Sequence, residues 1–264
     1  MPSVSNIAVG ALVAGAASAK ARHGMNESIA RLSTGMRSVY GGDAAGQSVA
    51  NTLEARSKSW AVAARNAEDG ISAAQVSESA LLEIASIAQR IRELGIQADN
   101  AALLSTTNDV AALDAEATLL FDQIDEIVEN TTFNGVVLLG AADKTHAIGV
   151  TDGGATVTLQ TGGTITAVDA HTKAAGAEVT ADTTLKEVAI SLGNVAAGIS
   201  SLKARQAVAY SASANLAAAA SRIEDTDFAK ETANLAKYSV LNQSAMAMVA
   251  QANQAQSAIL AVLQ

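Results

Sequence analysis

The chain has 264 residues, of which 49% are apolar, only 3% are aromatic and one is proline. Alanine, the best helix former, is the most frequent of the apolar residues, so long helices packed side by side fit this composition better than a thick globular core. The formal net charge of −9 excludes binding to nucleic acid through clustered lysine and arginine, and the absence of cysteine excludes disulfides and thiolate chemistry.

The N-terminal segment begins with a weakly apolar run from Ile7 to Ala19 that ends in small residues, as at a signal-peptidase site. No basic segment precedes the run, and it is too short and too rich in alanine to span a bilayer. We therefore expect no cleaved signal peptide and no membrane insertion. Beyond this run, apolar residues recur at heptad spacing and predict a helix that needs a helical partner. They are Met25, Ile29, Leu32 and Met36.

Helical periodicity continues from Ala44 to about Asn100 without a proline. The turn from Ser105 to Asn108 offers several N-cap residues, and an amphipathic pattern from Leu113 to Ile127 predicts a second helix antiparallel to the first. A third long helix is predicted from Ala181 to Ile223, with Thr184 and Glu187 as a capping box. These three helices predict a rod.

The segment from Thr131 to Thr180 is rich in threonine, valine and glycine and breaks the helical pattern. Asn134-Gly135 and Asp152-Gly153-Gly154 are turn sequences flanked by runs that favour strands. We predict two or three short hairpins that form a small cap packed on the helices. The predicted fold is mainly α, with long antiparallel helices in a rod, terminal coiled-coil helices and this β-hairpin cap.

The C-terminal segment has the clearest periodicity, a heptad seam with a polar but nearly uncharged opposite face. It consists of Leu241, Ala245, Met248, Ala252, Ala255, Ile259 and Val262. We expect no globular domain to cover this stripe, so both chain ends are predicted to need a helical partner.

Several motifs near the two ends resemble the bacterial flagellin family. They are the segments 31–37, 43–46, 65–72 and 133–135 in the first part, and 221–229, 241–243 and 250–254 with Leu260 in the last. The resemblance covers roughly the first 140 and the last 80 residues. It departs at Ser38–Gly42, which replaces the usual linker, and at Gln264, where a terminal arginine is common.

The resemblance implies a non-enzymatic subunit that polymerises through its terminal helices into the extracellular flagellar filament and enables swimming. It implies three parts: residues 1–42 and 224–264 as an inner-tube coiled coil, 43–130 and 181–223 as the rod, and 131–180 as the cap. The implied polymerisation seam comprises Met25, Ile29, Leu32, Met36, Leu241, Met248, Ile259 and Val262. Implied partners are further copies of the chain, an export chaperone, the filament cap and the hook-junction proteins.

The segment Gln89–Leu94 resembles the part of some flagellins that is bound by a vertebrate Toll-like innate receptor. The implied contacts are Arg90, Leu94 and Glu116, although Gly95 and Ile96 depart from that pattern. The alternative is that Arg90 forms ordinary ion pairs and Leu94 packs between subunits.

The residues predict no cofactor and no metal site, because His23, His146 and His171 are scattered and lack ligand spacing. The acidic residues Asp122 to Glu129 are interpreted as a solvated or ion-pairing helix face. Two other functions stay open: a hook-to-filament junction protein, whose usual extra length is missing, and a secreted coiled-coil effector or adhesin, which would not explain both terminal motifs.

Overall fold

The computed structural model describes residues 4–39, 41–100, 103–105, 108–140, 142–163, 165 and 173–263. At residues 4–8, 256 and 259–263 it describes the backbone and not the side chains. This part of the chain contains five helices: α1 (Val4–Thr34), α2 (Ala44–Ala98), α3 (Asp109–Asn130), α4 (Ala177–Glu224) and α5 (Phe228–Leu263). Four strands form two separate antiparallel hairpins: β1 (Thr132–Phe133) with β2 (Val136–Val137), and β3 (Lys144–Gly149) with β4 (Thr156–Gly162). The prediction of a mainly α fold with small hairpins is confirmed.

The chain divides into two compact units, one formed by Met1–Ala55 with Leu216–Gln264 and one formed by Arg56–Asn215. We call them the terminal unit and the central unit. Helices α2 and α4 contribute to both. The predicted division into inner tube, rod and cap is a division by function and stays a proposal.

In the central unit, α2 runs antiparallel to α4, as two contacts show. Ser57 Oγ donates to the Ser213 carbonyl at 2.9 Å, and the Arg92 guanidinium pairs with Asp182 at 2.8 Å. The core lies between α2, α3, α4 and the hairpins. Its fully buried large side chains include Leu81, Ile84, Ile91, Leu94, Ile124, Leu139, Leu159, Val188, Val195 and Leu202. Each contributes about 1.5–3 kcal/mol on burial, so this unit has the larger-residue core that the terminal unit lacks.

The hairpins pack on this core, as predicted for the cap, because Leu139 and Leu159 belong to it. Asn134 and Gly135 join β1 to β2 with φ of 50° and 77°, values that a two-residue type I′ turn requires at both central positions. The second predicted turn, at Asp152–Gly154, joins β3 to β4.

One prediction about a helix start is wrong, and one N-cap lacks the side-chain bond that usually accompanies it. Helix α4 begins at Ala177 and not at Ala181, and Thr184 lies inside it, where its hydroxyl donates to the Thr180 carbonyl at 3.1 Å and caps nothing. At α3, the N-cap residue Asn108 makes no side-chain capping bond. Instead the Ser105 amide donates to the Asp109 carboxylate at 2.9 Å, and Thr106 and Thr107 lie outside the described residues.

Candidate assembly surface

Helices α1 and α5 of the terminal unit lie side by side and antiparallel along much of their length. Ser18 Oγ donates to Asn242 Oδ1 at 2.9 Å, and further along the pair the Arg31 guanidinium lies 3.5 Å from the Glu231 carboxylate. Residue numbers thus rise on one helix as they fall on the other. The expected pairing of the chain ends is present within a single chain.

Small and polar side chains line the contact between these helices. Ala21 is 4% exposed and Ser28 is 1% exposed, and on α5 Ala245 is 8% exposed. At Gly24 the helices approach so closely that a Cβ atom would lie 2.6 Å from the ring of Tyr238. Glycine in a helix interior costs about 1 kcal/mol of stability relative to alanine. The short distance between the helices explains why glycine is nevertheless found at position 24.

A polar cluster lies within this contact and consists of Ser28 and Arg31 on α1 with Glu231 and Asn234 on α5. We call it the Glu231 cluster. Glu231 is only 6% exposed and accepts hydrogen bonds from Asn234 Nδ2 at 3.2 Å and from Ser28, besides its ion pair with Arg31. Burial raises the pKa of Glu231, but the bonds from Ser28 and Asn234 and the charge of Arg31 outweigh it, so the pKa lies below the ordinary value.

The loops that follow α1 and precede α5 hold the two helices in this arrangement. Gly35 ends α1 with a φ of 72°, which glycine adopts readily. The Arg37 amide then donates to the Glu224 carbonyl at 2.7 Å, and the Thr226 amide donates to the Gly35 carbonyl at 2.8 Å. The Arg37 side chain also donates to the Ile223 carbonyl at 3.0 Å. These bonds turn the chain from α4 into α5 beside the end of α1.

The predicted polymerisation seam occupies a neighbouring stripe. Ile29, Leu241 and Met248 are exposed, at 48%, 46% and 63%, and so are available to another copy. Met25 and Leu32 are half-buried on α1. The predicted helical spacing is wrong at Met36, which lies beyond the end of α1, is half-buried and forms a β-bridge with Asp225. The side chains of Ile259 and Val262 lie outside the described residues. The role of these residues between copies stays a prediction.

Other large apolar side chains are also exposed on the two paired helices. These are Val9, Leu12 and Val13 on α1, with Val240 and Met246 on α5, and their exposed fractions lie between 51% and 74%. Single exposed apolar residues are normal, but a concentration on one helix pair is typical of a surface that contacts another protein. Sequence reasoning missed this set because it followed the heptad positions alone.

The predicted receptor contacts lie in the central unit. Arg90 is exposed and pairs with Glu116 on α3 at 2.7 Å and with Glu93 at 3.0 Å, and the two carboxylates hold the pKa of the Arg90 guanidinium above its ordinary value. Leu94 is fully buried in the core of the central unit. The structure therefore brings Arg90 and Glu116 together at the surface and places Leu94 beneath it.

A cleft of about 550 Å³ lies between α2 and the hairpins, and two of the distant sequence motifs meet there. Asp69 and Gly70 come from one motif, Phe133 and Asn134 from the other, and His146 completes the lining. Burial and the charge of Lys144 lower the pKa of His146. In the described part of the chain no three metal-ligating side chains cluster, and His171 lies outside it.

Of the helices in the described residues, none combines the length and the hydropathy needed to cross a membrane.

Comparison with known proteins agrees with this architecture. The model of the bacterial flagellin N-terminal helical region matches residues 6–144, and the model of the C-terminal helical region matches residues 179–263. The flagellin of Halalkalibacterium halodurans is 36% identical over 249 residues, which cover 88% of this chain and 89% of that protein. The flagellin of Bacillus subtilis is 32% identical over 275 residues, covering 88% and 90% respectively. The flagellar filament 33 kDa core protein of Treponema phagedenis is 32% identical and covers 90% and 92%.

These matches define a class of structural proteins, not of enzymes. The chain belongs to the bacterial flagellin family. Members of this family are subunits of the bacterial flagellar filament, which lies outside the cell.

Proposed function

We propose that this chain polymerises through α1 and α5 into the flagellar filament and that this filament drives swimming. The observation that carries the proposal is the set of large apolar side chains exposed on the paired terminal helices, among them Leu12 at 74% and Met248 at 63%. Each contributes about 1.5–3 kcal/mol if a neighbouring copy buries it completely. The predicted seam residues from Met25 to Leu32 and from Leu241 to Val262 belong to the same helices, whereas Met36 follows the end of α1.

Polymerisation and ordering of the chain ends are coupled in this proposal. The contact between α1 and α5 consists mainly of alanine, serine and glycine, and such side chains remove little apolar area from water. A lightly packed helix is only marginally stable in water, so the ends become ordered fully when neighbours arrive. Contacts that repeat without closing into a ring then generate an open helical polymer.

The three parts of the chain have different positions in the proposed filament. Residues 1–42 and 224–264 form the inner tube, residues 43–130 and 181–223 form the rod around it, and residues 131–180 cap the rod. The larger-residue core of the central unit supports this division, because that unit can fold before assembly while the terminal unit waits for its neighbours.

Export and assembly require further partners. The unassembled chain leaves the cell through the flagellar secretion channel with its N-terminus uncleaved, and a cytosolic chaperone covers the apolar residues of α5 until then. At the far end of the channel a filament cap and the hook-junction proteins receive the subunit. The exposed Val240, Met246 and Met248 support a masking partner, since such residues favour aggregation when they stay uncovered.

Negative-stain electron microscopy of the full-length chain after salting-out tests polymerisation. We expect long uniform filaments from the natural chain and none from a chain that lacks residues 242–264. A finer comparison replaces Met246 and Met248 together by glutamine, which should slow or abolish filament growth. Replacing the exposed Gln243 and Gln251 of the same helix by asparagine is the matched control and should leave growth unchanged.

Two outcomes would contradict the proposal. If the full-length chain stays monomeric even with filament seeds, a junction protein or a secreted coiled-coil protein becomes the better interpretation. If the glutamine variant grows filaments as fast as the natural chain, the exposed face of α5 has no role in assembly.

The innate-receptor contact is a second proposal, supported by the exposed pair of Arg90 and Glu116. In a reporter-cell assay on the monomer we expect a response that Arg90→Ala reduces at least several-fold, with Arg92→Ala as the control for loss of an exposed arginine on the same helix. Leu94→Ala is unsuitable here, because removing this fully buried side chain costs about 2–5 kcal/mol of stability. No response to the intact monomer would refute the proposal.

A further inference from the structure

The Glu231 cluster lies where a coiled-coil seam normally has apolar residues. Glu231 is 6% exposed and Ser28 is 1% exposed, and both face the contact between α1 and α5. A polar residue at such a position lowers stability but can specify register, because only one alignment of the helices gives it partners. The effect of the cluster on register therefore depends on whether its polar groups would find partners in a misaligned helix pair.

Apart from Tyr238, the seam of α5 supplies little else that distinguishes one alignment from another. The ring of Tyr238 lies so close to Gly24 that a Cβ atom there would be 2.6 Å away, which favours the observed register at this one position. Elsewhere the contact includes small side chains, among them Ser18 and Ala21 on α1 and Ala245 on α5. Contacts between small side chains change little after a shift of one heptad, so they specify the register weakly.

A shift of one heptad has very different consequences for the polar groups. In the observed alignment the Glu231 carboxylate meets the Arg31 guanidinium at 3.5 Å, and Ser18 Oγ donates to Asn242 Oδ1 at 2.9 Å. After a shift of seven residues, Ser18 would face Leu235 or Val249 instead, and Glu231 would lose its cationic neighbour. A buried carboxylate without partners is strongly unfavourable.

The cluster is not arranged for maximum stability. Arg31 Nε is buried and has no hydrogen-bond partner among the described residues, which adds a desolvation cost to that of the buried carboxylate. A pair of apolar residues would avoid both costs. A cost of this kind is expected where a polar group selects one arrangement among several.

We propose that the Glu231 cluster, together with the close contact of Tyr238 with Gly24, sets the register in which α1 and α5 associate. Glu231 and Arg31 are positioning residues in this proposal: they act through the alignment of the helices. The inference deepens the proposed assembly function and rests on it, since the helix pair is the element that enters the filament.

Disulfide cross-linking tests the register directly, because the chain has no cysteine of its own. A cysteine at Ser18 is combined in three separate chains with a cysteine at Asn242, which reports the observed register, or at Leu235 or Val249, which report shifts of one heptad. Each chain is salted out, oxidised and sedimented, and only intrachain cross-links are counted on a non-reducing gel. With Glu231 in place we expect the link to Asn242 to dominate.

In the Glu231→Leu background we expect the two shifted cross-links to increase at least about fivefold relative to the link with Asn242, since the selecting group is gone. Arg31→Met, which leaves the carboxylate unpaired in the observed alignment, should also reduce the link to Asn242. Thr232→Leu adds the same apolar side chain at an exposed neighbouring position and should change nothing. A merely stabilising role for Glu231 would lower all cross-links together.

The outcomes separate the two proposals. Unchanged cross-link ratios in sedimented Glu231→Leu filaments would overturn the register proposal and leave assembly intact. If Glu231→Leu does not sediment, the cross-link ratios are measured in Arg31→Met instead. Unchanged ratios in that variant would also overturn the register proposal. A different result would contradict assembly itself: neither the unsubstituted chain nor the cysteine chains with natural Glu231 and Arg31 form filaments that sediment.

Discussion

Single glycines decide how closely the helices of this chain approach one another. At Gly95 of α2, a Cβ atom would lie 2.6 Å from the backbone nitrogen of Glu178, in the first turn of α4. A backbone atom cannot move aside as a flexible side chain can. This contact gives the glycine at position 95 a structural reason.

We predict that Gly95→Ala destabilises the central unit by about 1–3 kcal/mol, although alanine is the better helix former. Gly193→Ala in α4 is the matched control: nothing lies within 4 Å of its Cβ position, so the gain in helix propensity should stabilise by up to about 1 kcal/mol. Thermal unfolding of the two variants, followed by circular dichroism, should shift in opposite directions. A shift of the same sign in both would contradict this explanation of Gly95.

The ionised form of Glu231 is favoured in the folded chain, which makes its contribution depend on pH. Its pKa is lowered below 4.5, so the stabilisation is complete at neutral pH and is lost as the pH falls below that value. Arg31, Ser28 and Asn234 are the groups that face it.

We predict that Glu231→Gln weakens the helix pair by about 1 kcal/mol at pH 7, because the amide keeps part of the hydrogen bonding but not the ion pair. At a pH below the lowered pKa of Glu231 the variant and the natural chain should differ much less, since the carboxylate is then protonated. Urea titrations of the salted-out chain at both pH values measure the difference. If the difference in unfolding free energy between the variant and the natural chain does not change with pH, the charge of Glu231 contributes nothing to stability.

The elements themselves follow from the sequence to different degrees. The uninterrupted helical pattern from Ala44 to Asn100 corresponds to α2, which ends at Ala98, and the Asn134-Gly135 turn forms because both residues tolerate positive φ. Both are local effects of propensity, and such effects are visible in a sequence.

Features that depend on tertiary contact were harder to predict. The start of α4 is set by Gly176, with φ of 83°, and by docking against Gly95, so the local capping pattern at Thr184 misleads. Within the chain, α5 turns Asn242 and Val249 towards α1, one position from the predicted Leu241 and Met248. The prediction followed large apolar side chains, whereas the observed contact combines small side chains with the ring of Tyr238 against Gly24.

The close contact of α1 with α5 can be tested at Gly24. We predict that Gly24→Ala weakens the pairing, because the added methyl group displaces the ring of Tyr238 from a position 2.6 Å away. Gly15→Ala on the same helix, with nothing within 4 Å, should strengthen it by up to about 1 kcal/mol. The thermal midpoint of salted-out chains measures both effects, and adding Tyr238→Ala to Gly24→Ala should restore much of the loss. If Gly24→Ala lowers the thermal midpoint by the same amount in the Tyr238→Ala background, the added methyl group does not clash with Tyr238.

Charge is distributed unequally over the whole molecule. The terminal unit carries seven lysine and arginine residues and seven aspartate and glutamate residues, whereas the central unit carries ten and nineteen. The terminal unit is therefore formally neutral, and the entire net charge of −9 belongs to the central unit. Neutral chain ends can be brought together without net repulsion, but neighbouring central units in a polymer repel one another.

Salt should consequently promote growth of the filament by screening this repulsion, since the Debye length falls from about 30 Å at 0.01 M to about 8 Å at 0.15 M. We predict that replacing the exposed Glu78 and Glu83 by glutamine lowers the salt concentration at which the chain sediments. Replacing Glu78 and Lys203 by glutamine leaves the net charge unchanged and serves as the control, with no shift expected. If both pairs shift the salt requirement equally, the removed side chains make specific contacts and the net charge of the central unit does not govern assembly.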